Sequence, residues 1–458
     1  MRSIGEHAVV LGAGMAGLLV ARALAGAYER VTVVERDRGR ADGWRKGVPQ
    51  GRHAHILLPR GQRILEDMLP GVEAELIGAG AVVADPGADH RFTLGGHTLA
   101  RRRGAERAIQ ASRPLLEGVV RDRVGALPGV RFAGGRDVVG LLTGQGRVTG
   151  VQVVPRAVGA AAEEIRADLV VDAMGRAGRT RYWLERLGHG PVPREEVKVA
   201  VAYATRPIRL PLDSGAGKAV VVGPRPGSPR GMAMVAVEGD RHLLTIAGLD
   251  GANRPPADEE GFLDFVRTLA PPEVFESILA AEVLGEIASH RYPSDLRNHY
   301  ERMRGLPAGL LVTGDALCSF NPVYAQGMTV ACLEAEALRR CLDAGPRGLT
   351  RRYFRTVAKA LNDPWRMAVA ADLSMPEVEG RRTPAIRLLN AYVGRVQAAA
   401  ARDTGVAEQF FRVIGLLDPP ATLLRPSIAA RALCPSGSPA RPARTRRMAA
   451  AVPRDGGF

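Results

Sequence analysis

The sequence is short of cysteine and of aromatic side chains. Its four cysteines, Cys318, Cys332, Cys341 and Cys434, form no Cys-x-x-Cys pair, and aromatic residues make up 5% of the chain. Cysteines this sparse do not build a disulfide framework, so reduced thiols are expected. Because aromatics are few and the arginines are scattered, the formal net charge of +15 does not indicate a nucleic-acid binder.

Long apolar runs are also missing. No stretch approaches the roughly 18 residues that a membrane-spanning helix requires, and the amino terminus carries no apolar signal core. We therefore expect no membrane span and a cytoplasmic location. The 458 residues are 46% hydrophobic and 24% charged, the balance of a soluble globular chain with two or three domain-sized units.

Residues 8–35 have the pattern of a nucleotide-binding βαβ unit. A predicted strand leads into a Gly-Ala-Gly-Met-Ala-Gly turn at 12–17, then a helix to residue 24 and a second strand that ends at Glu35. Gly12 permits the sharp turn, Gly14 lets the backbone approach a pyrophosphate, and Gly17 lets the helix pack on the sheet. The helix amino terminus favours phosphates, and Glu35 suits ribose hydroxyls. This unit alone leaves NAD and FAD open.

A second predicted strand, at residues 309–313, runs into a Gly-Asp turn at Asp315 and a Pro-x-x-x-x-Gly stretch from Pro322 to Gly327. These motifs resemble the second FAD fingerprint of the group A flavoprotein monooxygenases, the family of para-hydroxybenzoate hydroxylase. The resemblance implies that Asp315 bonds a ribityl hydroxyl and that backbone N–H groups of the second stretch approach the isoalloxazine ring. A helix amino terminus beside that ring would stabilise negative charge on reduced flavin.

Three further stretches resemble the bacterial polyether epoxidases, FAD enzymes that oxidise alkenes of polyketide chains. They are residues 45–57, residues 111–117, and residues 410–414 together with 423–426. The resemblance implies a FAD contact for Arg113, at a predicted helix start. His53 and His55 have metal-like spacing without completing ligands, so they are expected to serve the flavin pocket or brace the backbone. Gln50 and Arg52 remain open between solvated loop residues and flavin or substrate contacts.

A middle segment, residues 168–179, aligns with the third fingerprint of that family, which is linked to FAD and NADPH binding. Here Met174 replaces the usual aspartate and Gly178 the usual serine. A further departure is Ala325, where the related epoxidases usually carry glycine. The departures at Met174 and Gly178 weaken a direct NADPH contact without excluding oxygenase chemistry, and the methyl group of Ala325 beside the flavin is expected to narrow the oxygen-reaction pocket.

The resemblance thus gives a set of FAD-binding residues, and the cofactor is expected to be tight and non-covalent. They are Gly12, Gly14, Met15, Ala16, Gly17, Glu35, Arg36, Arg45, Gln50, His53, Arg113, Val138, Asp172, Gly175, Asp315, Pro322, Gln326, Gly327 and Met328. No catalytic side chain is assigned and no metal is expected, because no Ser-His-Asp, paired-carboxylate or cysteine-nucleophile pattern is recognisable.

The predicted fold class is α/β: an FAD-binding Rossmann-like fold of the para-hydroxybenzoate hydroxylase type, with an antiparallel substrate sheet and carboxy-terminal helices. Period-two alternation marks that sheet, with a hairpin expected from Met234 to Ile246 through Glu238-Gly239-Asp240. The helices expected in the carboxy-terminal region include residues 351–361 and 385–400. The expected division is FAD-binding at 1–181, with 85–100 joining the substrate sheet, the substrate sheet at 182–290, FAD-binding again at 291–345, helices at 346–434, and a disordered basic tail at 435–458.

Two functions remain open. In a monooxygenase on a polyketide-type molecule, NADPH or a partner flavin reductase reduces FAD, dioxygen adds at flavin carbon 4a, and the resulting hydroperoxide passes one oxygen to an alkene or activated ring. With a single Gly-x-Gly-x-x-Gly motif, no separate NADPH domain is expected. The alternative is a non-redox [4+2] cyclase that keeps FAD structurally and forms a decalin from a polyene. A small-molecule substrate and no nucleic acid are expected, and the oligomeric state is not predicted.

Overall fold

The computed structural model describes residues 3–37, 49–104, 107–212, 214–249 and 251–433. Its strands are β1 (Gly5–Leu11), β2 (Tyr28–Glu35), β3 (Val82–Ala84), β4 (His90–Leu94), β5 (His97–Thr98), β6 (Ala108–Gln110), β7 (Val130–Gly134), β8 (Arg136–Gly144), β9 (Arg147–Pro155), β10 (Glu163–Arg166), β11 (Leu169–Asp172), β12 (Arg194–Arg209), β13 (Ala219–Val222), β14 (Arg230–Val237), β15 (Arg241–Leu249), β16 (Glu282–Val283), β17 (Ala288–Asn298), β18 (Leu310–Val312) and β19 (Cys318–Ser319).

The helices connect and cover these strands. They are α1 (Met15–Leu24), α2 (Pro59–Met68), α3 (Val72–Gly78), α4 (Pro86–Asp89), α5 (Arg113–Gly125), α6 (Thr180–Arg186), α7 (Glu259–Arg267), α8 (Pro272–Leu279), α9 (Gly327–Asp343), α10 (Leu349–Asp372), α11 (Pro384–Ala400), α12 (Thr404–Ile414) and α13 (Pro426–Leu433). Within the described ranges, no helix is both long and apolar enough to cross a bilayer.

A parallel sheet forms the centre of the molecule, with strand order β18-β11-β1-β2-β7. Its central strands are buried on both faces, which explains their continuous apolar runs. The carboxyl ends of β1, β11 and β18 are neighbours: the Ala173 amide donates to the Leu11 carbonyl and the Thr313 amide to the Asp172 carbonyl, both at 2.9 Å. The three fingerprint turns therefore meet at one edge of this sheet, where ligands bind in open α/β sheets.

A second, mostly antiparallel sheet stands beside it, in the order β19-β17-β12-β15-β14-β13-β4-β5, with β16 on the edge of β12. The predicted hairpin is confirmed: β14 and β15 join through Gly239 and Asp240, which have φ of 75° and 53°. Strand β4 pairs with β13, so residues 90–94 belong to this sheet. The sheet extends beyond residue 290, because β17 continues to Asn298.

One irregularity interrupts the predicted alternation in β12. Ala200 has φ of 45°, and the register with β17 shifts between Lys198 and Val201. Such a bulge re-aims the side chains that follow it. A smaller sheet, β10-β9-β8, occupies residues 136–166, where no strands were predicted from the sequence.

The carboxy-terminal helices differ from the expectation at one point. The predicted helix at 351–361 continues to Asp372 through Pro364, although proline removes a helical hydrogen bond. Buried contacts of Leu361, Trp365 and Ala368 hold the helix across this position. Helices α11–α13 share a separate apolar cluster with side chains of β4. The predicted tail at 435–458 lies outside the described residues.

Candidate active site

A cavity of about 1880 Å³ lies between the carboxyl edge of the parallel sheet, the face of the antiparallel sheet and helices α10–α12. Typical small-molecule sites measure about 300–1,000 Å³. The cavity therefore has room for a large cofactor and a second molecule together.

The structure brings many of the predicted FAD-binding residues to this cavity. Those that line it are Gly14, Met15, Ala16, His53, Arg113, Gly175, Asp315, Pro322, Gln326, Gly327 and Met328. The predicted residues with described side chains that do not line it are Gly12, Gly17, Glu35, Arg36, Val138 and Asp172. Arg45 lies outside the described residues, and Gln50 is described only through its backbone, in a 3₁₀ turn at Pro49–Arg52. Whether each residue contacts FAD remains a prediction.

The three glycines of the first turn have different surroundings. Gly12 has φ of 100°, and a Cβ there would lie 2.6 Å from the Ala173 carbonyl oxygen. A Cβ on Gly17 would lie 1.9 Å from the Gly12 carbonyl oxygen. A Cβ on Gly14 would meet nothing within 4 Å, because this residue borders the cavity. Gly12 and Gly17 are thus required by packing, while Gly14 leaves the open space that a pyrophosphate needs.

The acid at the end of β2 lies beside this turn. Glu35 Oε2 accepts a hydrogen bond from the Ala13 amide at 2.9 Å, and Arg121 Nη2 donates to the Ala13 carbonyl at 2.8 Å. Two other predicted residues lie further out. Arg36 is exposed, 3.5 Å from Asp137, and Val138 pairs with β9 and packs against the main core.

Arg113 is held in the cavity wall by two side chains. Its Nε donates to Glu117 Oε1 at 2.9 Å, and its Nη1 lies 3.2 Å from His55 Nε2. Burial and the Arg113 charge lower the pKa of His55 to about 3, so this ring is neutral near pH 7. Its Nε2 then accepts from Arg113 while Nδ1 donates to the His53 carbonyl at 2.9 Å. Ser112 caps the helix, since its Oγ accepts from the Leu115 amide at 3.3 Å.

An aromatic cluster of His53, Tyr203 and His290 forms another part of the wall. Tyr203 and His290, on the antiparallel sheet, were not predicted from the sequence as site residues. Tyr203 packs edge-on against His53 with ring centroids 4.4 Å apart, and His290 lies 5.4 Å from Tyr203. Burial lowers the pKa of His53 to about 3, and its Nδ1 bonds Thr205 Oγ1 at 2.8 Å. The cluster is therefore uncharged at neutral pH. The pairing of β12 with β17 places Tyr203 opposite His290, and the segment that follows the 3₁₀ turn Pro49–Arg52 brings His53 against them.

The Gly-Asp turn at Gly314 and Asp315 is held by hydrogen bonds to a buried acid, Glu334 of α9. Glu334 Oε2 accepts from Thr313 Oγ1 and from the Gly314 amide, both at 2.5 Å. Burial raises the pKa of Glu334 to about 8. Burial also raises the pKa of Asp315, and the positive charges of Arg113 and Arg176 oppose that rise.

The third fingerprint is shaped by Asp172, which is fully buried. Its Oδ1 accepts from the Met174 amide at 2.9 Å and its Oδ2 from Thr180 Oγ1 at 2.6 Å. A Cβ on Gly178 would lie 3.0 Å from Asp172 Oδ2, so the family's serine would need a local shift here. Met174 lines the cavity in place of the family's aspartate.

The segment before α9 carries the remaining fingerprint residues. Ala325 has φ of 53°, a left-handed conformation that favours glycine. Gln326 is the N-cap of α9 and makes no side-chain cap, and its Oε1 is buried with no hydrogen-bond partner among the described residues. A Cβ on Gly327 would meet nothing within 4 Å. An open helix amino terminus and an unsatisfied amide oxygen fit a polar ring edge such as that of the flavin.

The far side of the cavity combines apolar and basic side chains. Exposed guanidinium groups come from Arg225, Arg366 and Arg387. The apolar residues on this side include Met367, Leu389, Val393, Phe410, Ile414 and Leu423. This combination suits an apolar molecule with an anionic group.

Comparison with known proteins agrees with this geometry. Residues 6–351 match the family model described as FAD binding domain. A Mycobacterium tuberculosis protein named Rv3254 is 34% identical over 440 residues, 90% of this chain and 90% of its own length. Kynurenine 3-monooxygenase of Salinispora arenicola is 29% identical over 420 residues, 84% of this chain and 82% of its own length.

Solved structures show the same fold. The crystal structure of p-nitrophenol 4-monooxygenase from Pseudomonas putida matches with a TM-score of 0.65 and 18% identity, over 92% of this chain and 100% of the other. Flavin-dependent halogenases also have this fold. At such identities the likeness shows fold alone.

Proposed function

This chain belongs to the FAD binding domain family and takes FAD as its cofactor, and from that premise we propose that it is a monooxygenase acting on an elongated, mostly apolar molecule of the polyketide type. FAD, when bound, supplies the redox chemistry with dioxygen. The protein's part is to bind, orient and exclude water.

The residues that would hold FAD come from four segments of the cavity wall. Gly14 leaves space for the pyrophosphate, and Asp315 would face the ribityl chain. Glu35, which accepts from the Ala13 amide and does not line the cavity, would lie behind this wall at the ribose end. Arg113, fixed in place by Glu117, would offer a positive charge to the cofactor. The amino terminus of α9 offers unpaired N–H groups to the ring.

The observation that carries the proposal is the continuity of one cavity from the glycine turn to the carboxy-terminal helices. The part next to α10–α12 is lined by apolar side chains and by arginines, which suits a long apolar chain bearing a carboxylate or another anion. The neutral cluster of Tyr203, His53 and His290 would lie between this region and the flavin site, where it keeps charge and water from the reacting carbon atoms.

The test is to incubate the holoenzyme with a linear polyene polyketide carboxylic acid under four conditions: with both NADPH and dioxygen, with each one alone, and with neither. The expected product carries one added oxygen atom and forms only when both are present, because one oxygen atom enters the product and the other becomes water with electrons from NADPH. A parallel reaction with a supplied flavin reductase and NADH tests the alternative electron source. Gly14→Val, expected to lack FAD, is the negative control. Oxygenated product from that variant, or none from the holoenzyme with either electron source, would contradict the proposal.

The cyclase remains the second candidate, and a specific observation favours it. Met174 and the methyl group of Ala325 both line the cavity, where the family pattern has aspartate and glycine. A smoother apolar wall suits folding of a polyene more than pyridine nucleotide binding. An isomer of unchanged mass, formed without dioxygen and without NADPH, would replace the oxygenase proposal with the cyclase.

A further inference from the structure

Two carboxyl groups lie buried against each other behind the cavity wall. Asp295 of β17 is 0% exposed and Asp372, the last residue of α10, is 2% exposed, and the two side chains are in hydrogen-bonding reach. No well-formed hydrogen bond from the described residues reaches Asp295 Oδ1, Asp295 Oδ2 or Asp372 Oδ2. The donors near Asp295 are the Tyr292 hydroxyl and the backbone N–H of Asn321. Two ionised carboxylates in this position repel each other strongly, so such a pair retains a proton.

The same pair is hydrogen-bonded to residues 321–324, in the segment that borders the predicted site of the flavin ring. Asp372 Oδ1 accepts hydrogen bonds from Asn321 Nδ2 and from the Tyr324 hydroxyl, both at 2.8 Å. Asn321 Oδ1 in turn accepts from the Val323 amide at 3.1 Å. Asp372 is therefore hydrogen-bonded to both ends of the 3₁₀ turn Pro322–Tyr324, at its N-cap Asn321 and at its last residue Tyr324. The next residue, Ala325, has a left-handed backbone conformation, which is strained for a residue with a Cβ and requires support from outside the segment.

We propose that Asp295 carries a proton that it donates to Asp372, and that this protonated pair holds residues 321–327 in the conformation that binds FAD. Asp372 is the anionic partner, because its Oδ1 already accepts two hydrogen bonds and its Oδ2 is left for Asp295. One proton thus provides a partner for Asp372 Oδ2 and for one oxygen of Asp295. Both aspartates are positioning residues. The inference rests on FAD binding and holds for an oxygenase and a cyclase alike.

The groups around the pair favour the protonated form. Burial and the Asp372 carboxylate raise the pKa of Asp295 to about 9, and burial raises the pKa of Asp372 as well. The Tyr292 hydroxyl and the backbone N–H of Asn321 face Asp295 and oppose the rise in its pKa.

Other charged or titratable groups are close. The Arg176 guanidinium lies 4.8 Å from the Tyr292 ring centroid, and it donates to Ser319 Oγ and to the Ser294 carbonyl. On β19, Cys318 is buried near Asp295, and burial raises the pKa of its thiol. The Tyr324 hydroxyl faces Asp372, and burial raises its pKa too. Within the described residues neither aspartate has an ion pair with lysine or arginine. Loss of the shared proton would leave two adjacent buried negative charges.

The experiment follows FAD release from the holoenzyme by the rise of flavin fluorescence, from about pH 6 to about pH 10. Wild type is expected to release FAD about tenfold faster above about pH 9 than at pH 7, because deprotonation leaves two repelling carboxylates behind residues 321–327 and a repulsion equal to one pKa unit is a tenfold change. Asp295→Asn keeps a donor to Asp372 without a titratable proton. It should release FAD within about twofold of wild type at pH 7 and show no alkaline increase.

Asp372→Asn removes the anionic acceptor of Asn321 and Tyr324, so its FAD release at pH 7 is expected to be about tenfold faster, the loss of one charged hydrogen bond. If it fails to fold, Tyr324→Phe removes one of the two donors and should give about a threefold increase. Asp264→Asn, at an exposed site in α7, is the matched control, and circular dichroism at each pH separates release from unfolding. The same pH dependence in Asp295→Asn and wild type would overturn the proposal. So would unchanged release from both Asp372→Asn and Tyr324→Phe. Product formation is not measured, so this outcome is independent of the proposed reaction.

Discussion

At the scale of single residues, Arg113 shows how burial changes the meaning of a motif arginine. The sequence places it at a helix start, where a lost side chain would matter little to the fold. In the structure its side chain is 13% exposed and that of Glu117 7%, so the two charges depend on each other. Removing one partner of a buried ion pair costs about 3–5 kcal/mol.

We therefore expect Arg113→Ala to lose both FAD affinity, by about tenfold, and stability, by about 3 kcal/mol. The double variant Arg113→Ala/Glu117→Gln removes the uncompensated carboxylate and should regain most of the stability but not the FAD affinity. Thermal unfolding and FAD titration measure the two effects. Arg123→Ala, on the same helix but directed at the Leu69 and Pro70 carbonyls, is the control. If the double variant binds FAD as well as wild type does, Arg113 has only a structural role.

At the scale of elements, the turn between β1 and α1 divides its glycines between folding and binding. Gly17 packs against the Gly12 carbonyl with no room for a methyl group, while Gly14 faces open space with an extended backbone that any residue adopts. The same motif thus contains one position that the fold requires and one that only the ligand requires.

From this division we expect opposite defects in two variants. Gly17→Ala should be destabilised by about 3 kcal/mol or more because its Cβ overlaps backbone. Gly14→Val should fold with nearly wild-type stability in the absence of added FAD but should not bind it, because the side chain fills the pyrophosphate approach. Unfolding curves of the FAD-free proteins and FAD titration distinguish the two. If the Gly14→Val protein binds FAD normally, the phosphates must bind elsewhere than at Gly14.

At the scale of the whole molecule, buried titratable groups set the response to pH. The pKa of His53 and of His55 is lowered to about 3 and that of His90 to about 4, mainly by burial. These rings are neutral in the folded and the unfolded chain above about pH 6.5. Above that pH, the buried acids with raised pKa determine the slope, because the folded protein keeps protons that the unfolded chain has released.

Stability should therefore fall as the pH rises from about 6.5 to about 8, where Glu334 still holds its proton in the folded state. One acid that stays protonated only in the folded state lowers the free energy of unfolding by about 2 kcal/mol over this interval of about 1.5 pH units. Glu334→Gln has no proton to release, so the decline of its Tm with pH should be flatter than that of wild type. The control is Glu336→Gln, on the same helix as Glu334, which removes the ion-pair partner of Arg60. Its Tm should decline with pH as steeply as that of wild type. An unchanged slope in Glu334→Gln would show that this acid is ionised in the folded protein.

Local signals in the sequence were enough for the first βαβ unit, the Gly-Asp turn, the β14–β15 hairpin and the family. Each depends on residues close together in the chain: glycines that free the backbone, a cap such as Ser112, or alternating apolar positions. Their physical effect is local, so spacing alone reveals it. The α/β fold class and the FAD cofactor follow from these units.

The tertiary structure alone decided the rest. It carries α10 through Pro364 because Leu361 and Trp365 are buried on either side, and it assigns Val138 to an outer sheet. It also brings His53 to Tyr203 and His290, and Asp295 to Asp372. These contacts join residues far apart in the chain, and they depend on strand register and helix packing. No local pattern encodes them, because the free energy that favours them arises only when the sheets and helices pack together.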